Sequence, residues 1–171
     1  MSARRHNTSQ APSAAGPSAG SPRILLLGLG NDLLTDDAIG LRVAEALQTR
    51  LAGHANLTIL QSAEMGLALL DLVVGFDELV LVDAIQTGKA PPGYVHELAG
   101  SDLKVLPGYS PHFLGIAEML ALGRELGMAV PLTVRIFAIE VSDPYTLGTH
   151  LTPALEAALP GISDRVAAGL G

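Results

Sequence analysis

The sequence reads Arg23-Ile-Leu-Leu-Leu-Gly28 at the point where it first becomes strongly apolar, and this stretch decides the fold class. A continuous apolar run that stops at a glycine is typical of a strand buried on both faces of a sheet. In residues 37–51, Ile39, Val43 and Leu47 recur every four residues with polar residues between them, which predicts an amphipathic helix. A buried strand followed directly by a helix indicates an α/β fold.

The same alternation of strand and helix patterns continues to the end of the chain. Further strands are predicted at residues 57–60, 78–83, 94–98 (as an edge strand) and 132–139. Further helices are predicted at residues 65–74, from a Ser110-Pro111 cap to about Gly127, and after a Thr152-Pro153 cap with an interruption at Pro160-Gly161. Because the connections are short, we expect a three-layer α/β/α single domain with a mostly parallel central sheet.

Composition divides the chain into two regions. Residues 1–22 are rich in Ser, Ala and Pro and hold no Leu, Ile, Val or aromatic residue, which predicts a disordered tail. The remaining residues, 23–171, are expected to form the folded domain. Of all 171 residues, 49% are apolar and 16% are charged, which is enough apolar material for one core.

Charge and cysteine content exclude several classes of function. Ten Lys and Arg against 17 Asp and Glu give a net charge of -7, so a nucleic-acid partner is not expected. The absence of cysteine excludes disulfides, thiolate metal sites and a cysteine nucleophile. No apolar stretch approaches the roughly 18 residues of a membrane span. We therefore expect a cytoplasmic protein without a membrane partner.

The glycines after the first strand invite a nucleotide-binding interpretation. Gly28 and Gly30 begin a Gly-x-Gly-x-x-Gly pattern, but its third glycine is replaced by Leu33. The acid that would bind a ribose at the end of the second strand is replaced by Gln61-Ser62. The dinucleotide fingerprint therefore fails at two of its positions.

Polar residues that could carry chemistry stand at predicted strand ends. Asp36 and Asp37 follow the first strand, Asp83 ends the strand at 78–83, and His112 lies in the first turn after Ser110-Pro111. The carboxyl ends of parallel strands share one edge of a sheet, so these side chains can converge there. Two carboxylates and an imidazole suit a borderline divalent metal such as nickel or zinc.

Each of these residues also has a purely structural interpretation. Asp36 or Asp37 could cap the helix that they begin, Asp83 could cap the loop at 84–88, and His112 could be a surface residue. Three more acids also lie near predicted strand ends, and no spacing rule selects or rejects them: Glu64, Glu140 and Asp143.

Three segments together resemble one protein family. Residues 24–40, Ile-Leu-Leu-Leu-Gly-Leu-Gly-Asn-Asp-Leu-Leu-Thr-Asp-Asp-Ala-Ile-Gly, are similar to the opening signature of the hydrogenase maturation proteases. These endopeptidases trim the C-terminus of nickel–iron hydrogenase large subunits. Residues 79–85 with Pro91-Pro-Gly93 resemble the family's central strand and loop, and Ser110-Pro-His-Phe-Leu-Gly115 resembles its Ser-Pro-His-x-x-Gly helix start. The similarity covers about residues 23–160.

The resemblance implies a role for three of the shortlisted residues. Asp37 matches the metal-contacting acid of the first motif, Asp83 matches the second acid and His112 matches the histidine. These three would form both the catalytic and the metal-contacting set. The family recognises nickel already placed in the precursor and then cuts after a basic residue near its C-terminus, so the implied partner is the nickel-loaded large-subunit precursor. Zinc or cadmium could act as surrogate ions.

The resemblance also suggests a mechanism. A divalent ion held by Asp37, Asp83, His112 and the thiolates of the substrate could polarise the scissile carbonyl or acidify a bound water. Asp37 could then serve as the base, in an aspartic-type reaction. One departure is the loop at 61–66, where the family's Gly-Thr pair has no threonine counterpart. The alternatives are a nucleotide or small-molecule module using residues 28–31, and a chaperone that binds the precursor without cutting it.

Overall fold

The computed structural model describes residues 20–105 and 108–170. These residues contain one five-stranded sheet: β1 Ile24–Leu29, β2 Leu57–Ser62, β3 Glu78–Ile85, β4 Val95–Ala99 and β5 Thr133–Glu140. They also contain α1 Ile39–Arg50, α2 Leu70–Val73, α3 Ile116–Glu125 and α4 Pro153–Gly169. The predicted tail at 1–22 lies outside the described residues except for its last three. None of the described helices is long and apolar enough to cross a membrane.

The strands lie in the order β2-β1-β3-β5-β4. The β1, β2, β3 and β5 strands are mutually parallel, and β4 pairs antiparallel with β5 at the edge. This arrangement confirms the predicted mostly parallel sheet and the predicted edge strand. We call the side of the sheet where the four parallel strands end the carboxyl edge.

Helices cover both faces of the sheet, which confirms the three-layer architecture. On one face α1 and α4 pack against side chains such as Val80 and Val82 of β3. On the other face α2 and α3 pack against Leu79 and Leu81 of the same strand. Each fully buried side chain of this kind contributes roughly 1.5–3 kcal/mol to folding. Since side chains alternate along a strand, Asp83 shares the α3 face with Leu79 and Leu81.

Two glycines of the sequence motif, Gly28 and Gly40, are explained by close packing of α1 on the sheet. A Cβ atom on Gly40 would lie 2.2 Å from the Leu29 carbonyl oxygen and 2.3 Å from that of Val82. A Cβ atom on Gly28 would lie 2.3 Å from the Gly40 carbonyl oxygen. Only glycine fits at these two positions, so the beginning of α1 lies directly against β1 and β3 at the carboxyl edge.

The helix predicted from Ser110-Pro111 to about Gly127 begins later than expected. A 3₁₀ turn covers Pro111–Phe113, and α3 begins only at Ile116. Gly115 lies between them with φ of 78°, a left-handed conformation that favours glycine. The prediction of one continuous helix was wrong, because this glycine turns the chain between the two elements.

Two other helices also differ from the prediction. Residues 65–74 form a 3₁₀ turn and then only the four-residue α2, because Leu69 and Val73 are the only buried side chains there. The last helix, α4, is continuous through Pro160, where an interruption was predicted. Pro160 lies on the exposed side, whereas Leu155 and Ile162 on the opposite side remain packed in the core.

Candidate active site

A cavity of about 290 Å³ lies at the carboxyl edge. It is lined by residues that directly follow the four parallel strands: Asn31, Ala63, Gln86 and Val141. The chain leaves β1 toward β2 on one side and places β3 on the other, so the strand order reverses here. Such a reversal opens a crevice, and α/β proteins bind their ligands in crevices of this kind.

The structure brings Asp37, Asp83 and His112 together at this cavity. The His112 imidazole lies between the two carboxylates, with Nδ1 3.2 Å from Asp83 Oδ1 and Nε2 3.7 Å from Asp37 Oδ2. All three side chains are buried, so the surface position considered for His112 is excluded. Asp37 and His112 line the cavity, whereas Asp83 lies behind the imidazole with no exposed surface.

Asp83 is held in place by Ser110, which lies two residues before His112 in the Ser-Pro-His segment. It lies inside β3, which continues to Ile85, so the prediction that Asp83 ends the strand was wrong. The Ser110 hydroxyl donates a buried hydrogen bond of 2.5 Å to Asp83 Oδ2. Ser110 makes no helix-capping hydrogen bond, so its predicted role as a cap was also wrong. A long-range bond to a buried carboxylate replaces the local cap.

Asp36 and Asp37 face different parts of the molecule. Asp36 accepts hydrogen bonds from the backbone N–H groups of Asp143 and Thr152, at 3.0 and 2.8 Å, and from the hydroxyls of Ser142 and Thr152. Neither aspartate makes a capping bond at the start of α1. The structure therefore excludes the capping interpretation. Of the two aspartates, Asp37 lines the cavity and Asp36 does not. Thr152 likewise binds Asp36 and does not cap α4.

The close approach of three titratable groups changes the pKa of two of them. Burial raises the pKa of Asp37, and the nearby Asp83 carboxylate raises it further, against the effects of His112 and of the Asn31 N–H group. Burial alone would lower the pKa of His112, but the contact with Asp83 and the charge of Asp37 outweigh it. The pKa of His112 is therefore raised above 6.5.

The three side chains form a row, with the imidazole in the middle. Within residues 20–105 and 108–170, no three His, Asp or Glu side chains surround one point as metal ligands would. The predicted three-ligand set is thus not assembled in this conformation, because each imidazole nitrogen faces a different carboxylate. Asp83 Oδ1 and His112 Nδ1 are close but not aligned as a hydrogen bond, and both atoms are buried. The imidazole and carboxylate donors themselves suit a borderline divalent ion.

Glu140 has a structural role that the sequence did not reveal. It accepts hydrogen bonds from the N–H groups of Thr87 and Gly88 and from the Thr87 hydroxyl, and it lies 3.0 Å from His96 Nε2. Burial opposes ionisation, but these partners together hold the pKa of Glu140 below its ordinary value. Glu140 therefore caps the loop that begins after Ile85, which is the role considered for Asp83.

The other two acids near strand ends do not line the cavity. Glu64 is exposed. The carboxylate of Asp143 accepts hydrogen bonds from the N–H groups of Tyr145 and Thr146 and so closes a local turn. Neither residue belongs to the row formed by Asp37, His112 and Asp83.

Gln86 connects two other segments that line the cavity, through Tyr109 and Tyr145. No sequence motif indicated this role. The backbone of Gln86 forms a two-way pair with Tyr109, at 3.2 and 3.3 Å. Its side chain accepts a hydrogen bond from the Tyr145 hydroxyl and donates one to the Ser142 carbonyl oxygen, both 3.1 Å long. The cavity wall is thus built by contacts between residues distant in sequence.

Comparison with known proteins identifies similar sequences and structures. The sequence profile of the HycI family, described as hydrogenase maturation protease, matches residues 41–168. The chain is 36% identical over 152 residues to the hydrogenase 2 maturation protease of Escherichia coli (strain K12), covering 86% of this chain and 90% of that protein. It is 33% identical over 148 residues to the hydrogenase expression/formation protein HupD of Thiocapsa roseopersicina, covering 81% and 66%.

Two solved structures share the fold. The hydrogenase maturating endopeptidase HybD from E. coli superimposes with a TM-score of 0.72 at 32% identity, covering 86% of this chain and 91% of that one. The [NiFe] hydrogenase maturation protease HybD from Thermococcus kodakarensis superimposes with a TM-score of 0.64 at 27% identity, covering 86% and 98%.

Proposed function

The chain belongs to the hydrogenase maturation protease family, and we propose that it removes the C-terminal extension of a nickel–iron hydrogenase large-subunit precursor after nickel insertion. Membership confirms the resemblance carried by the three sequence segments. Endopeptidase activity and a hydrogenase precursor as partner follow from the family. The nickel-loaded state of that precursor, the metal contacts and the aspartic-type chemistry are our proposals.

The observation that carries the proposal is the row formed by Asp37, His112 and Asp83 at the cavity. Asp37 and His112 are within reach of a ligand in the cavity, and they offer one carboxylate and one imidazole nitrogen. Asp83 lies behind the imidazole and orients it, while Ser110 fixes Asp83. Outer carboxylates of this kind set the orientation and basicity of metal-contacting histidines.

Nickel enters this proposal as part of the substrate. Because the donors of the row lie on one side of the cavity, the remaining coordination positions of the ion would be filled by groups of the precursor, including its thiolates. Asp37, Asp83 and His112 remain the proposed contact set. An ion bound there would polarise the scissile carbonyl or lower the pKa of a water. Zinc and cadmium have the same donor preferences and could act as surrogate ions.

Asp37 is the proposed base. A carboxylate whose pKa is raised accepts a proton near neutral pH more readily than an ordinary aspartate. It lies beside His112 and lines the cavity, so it can take a proton from a water that attacks the peptide bond. Asp83 is less suited to this task because it has no exposed surface.

The experiment that tests the proposal is incubation of the purified protein with nickel-loaded and nickel-free precursor. We expect a mass loss at the C-terminus of the nickel-loaded precursor only. His112→Ala should abolish that loss, whereas His54→Ala, at an exposed turn after α1, should leave it unchanged. Normal processing by His112→Ala would remove His112 from the site. A stable uncut complex would instead support the chaperone alternative.

The nucleotide-binding alternative loses its main support. Gly28 is required by the contact with Gly40, and a Cβ atom on Gly30 would lie 2.3 Å from the Asp37 carbonyl oxygen. Both glycines are therefore explained by packing of the chain on itself. The cytoplasmic location expected from the sequence stays a prediction.

A further inference from the structure

Exposed apolar side chains are concentrated around the cavity. Of eleven large apolar side chains that are exposed among the described residues, seven lie on four loops of the carboxyl edge: Leu33, Met65, Leu67, Tyr109, Leu114, Tyr145 and Leu147. We call these seven residues the collar. Soluble proteins rarely expose a large contiguous apolar surface unless it contacts a partner.

Contacts between the loops make the collar continuous. Leu34 and Leu147 form an antiparallel bridge, and the Gly148 N–H group donates a 3.0 Å hydrogen bond to the Leu33 carbonyl oxygen. The loop that carries Met65 and Leu67 meets the loop that carries Leu114, because Gly66 and Gly115 lie against each other. Met65 and Tyr145 line the cavity as well, so the collar is continuous with the candidate active site.

The four loops that carry the collar contribute no positive charge, and the exposed Lys104, outside them, lines a depression beside Leu114. The four loops, residues 31–35, 62–67, 108–115 and 141–149, contain no Lys or Arg. They do contain the exposed acids Asp32 and Glu64. Arg42 approaches the last loop from α1, but its guanidinium donates to the Thr149 carbonyl oxygen and pairs with Glu45. The surface is therefore apolar with an acidic edge.

We propose that the collar docks the folded body of the precursor, through an apolar surface of that protein that carries Lys or Arg side chains. This inference rests on the proposed function and adds the surface that recognises the substrate. The occupant is assigned by continuity: a precursor whose extension enters the cavity must place its neighbouring surface on the collar. An apolar centre with complementary charge at its edge is the usual composition of such an interface.

A second copy of the chain fits the collar less well. A symmetric dimer through this surface would bring two patches with acidic edges together, because a two-fold interface uses the same patch on both partners. Like charges held together in this way oppose association. The precursor is therefore the occupant that the charges favour.

The test compares collar variants with matched controls at the opposite edge of the sheet. Leu147 and Leu132 are exposed to 80% and 83%, and Leu67 and Leu126 to 61% and 64%. Leu132 directly precedes β5 and Leu126 directly follows α3, so both controls lie far from the cavity. None of these four leucines lines the cavity.

Leu147→Lys and Leu67→Lys should each raise the KM for the nickel-loaded precursor by roughly tenfold, the effect of losing one well-buried interface side chain. Their kcat should stay within about twofold of the unsubstituted protein, as should both constants for Leu132→Lys and Leu126→Lys. Leu147→Glu should be less damaging than Leu147→Lys, because it adds no positive charge opposite basic residues. Thermal unfolding checks that each variant is folded.

Equal KM values for collar and control variants would overturn the inference. It would also be overturned if sedimentation showed that the protein alone is a dimer and that Leu147→Lys makes it a monomer. If the unsubstituted protein does not shorten the precursor at all, the proposed function fails. The Kd for uncut precursor then tests the collar by itself. Weaker binding by the collar variants than by the control variants supports the inference, and equal affinities overturn it.

Discussion

The hydroxyl of Ser110 donates a hydrogen bond of 2.5 Å to Oδ2 of Asp83, and both side chains are buried. This bond leaves Asp83 Oδ1 facing the His112 ring, 3.2 Å from Nδ1. The imidazole that lines the cavity is thus in contact with a carboxylate, and that carboxylate is fixed by a serine.

Ser110→Ala should lower both stability and activity. Removing the hydroxyl takes a hydrogen bond from a buried carboxylate, which costs about 1.5–3 kcal/mol of unfolding free energy. The kcat for precursor processing should fall as well, because Asp83 no longer has a fixed orientation toward His112. Chemical unfolding and a processing assay measure the two effects. Ser163→Ala is the matched control, since the Ser163 hydroxyl is buried without a hydrogen-bond partner in the described part of the chain. Equal effects of the two substitutions would contradict the role of Ser110.

Asp36→Ala should destabilise the wall of the cavity without changing the row of titratable groups. The substitution leaves the partly buried backbone N–H groups of Asp143 and Thr152 without their acceptor, at a cost of about 1 kcal/mol for each donor. Faster amide hydrogen exchange is expected across residues 142–152, while the pKa of His112 should be nearly unchanged. Unchanged exchange in that segment would show that Asp36 does not hold it.

Asp37→Asn should stabilise the protein and abolish processing. A group whose pKa is raised by folding favours the folded state fully below its unfolded value of 3.8, and that contribution is lost as the pH rises through the folded pKa. At neutral pH the ionised Asp37 is therefore unfavourable, and removing its charge should raise the unfolding free energy by roughly 1 kcal/mol. Thermal unfolding at pH 7 measures this. A lower stability than that of the unsubstituted protein would contradict the assignment.

Processing should depend on the protonation of His112. Its pKa is raised above 6.5, so at that pH most of the imidazole is protonated and cannot offer a lone pair to an ion. We expect the rate of processing to rise with pH through a midpoint above 6.5. Asp83→Asn removes the neighbouring charge and should move this midpoint to lower pH. If the midpoint is the same in both proteins, the pH dependence of processing does not come from His112.

The charge of His112 also affects stability, with the opposite dependence on pH. A raised histidine pKa contributes stability that is fully present below 6.5 and is lost as the pH rises through the folded pKa. The difference in unfolding free energy between the unsubstituted protein and His112→Gln should therefore shrink from pH 6 to alkaline pH. Denaturant unfolding across that range measures it, and a constant difference would contradict the charged state.

The layers of the fold and the presence of a mostly parallel sheet follow from patterns that are local in sequence. The apolar run at 24–28 and the four-residue spacing in α1 both report burial directly, and they predicted β1 and α1 closely. The positions of Asp83 and His112 followed from a strand and from a turn that share one edge of the sheet. Local patterns are sufficient to predict a strand or helix when the spacing of its own apolar residues shows which side is buried.

The remaining details depend on partners that are distant in sequence. Asp36 and Asp37 are adjacent and identical, and only the loop at 142–152 determines which of them faces the cavity. Ser110 and Thr152 follow the rule for helix caps, yet their hydroxyls bind Asp83 and Asp36. Glu140 caps a loop more than fifty residues before it, so no spacing rule could single it out.

The central claim is that His112 and Asp37 contact the nickel that the precursor brings. The most direct test is nickel-edge X-ray absorption on rapidly frozen mixtures of nickel-loaded precursor and protein. We expect the unsubstituted protein to add nitrogen and oxygen neighbours at about 2.1 Å from the nickel, and His112→Ala to remove the imidazole signal. A nickel spectrum that is unchanged by the unsubstituted protein, in a mixture where the precursor is being shortened, would contradict the account.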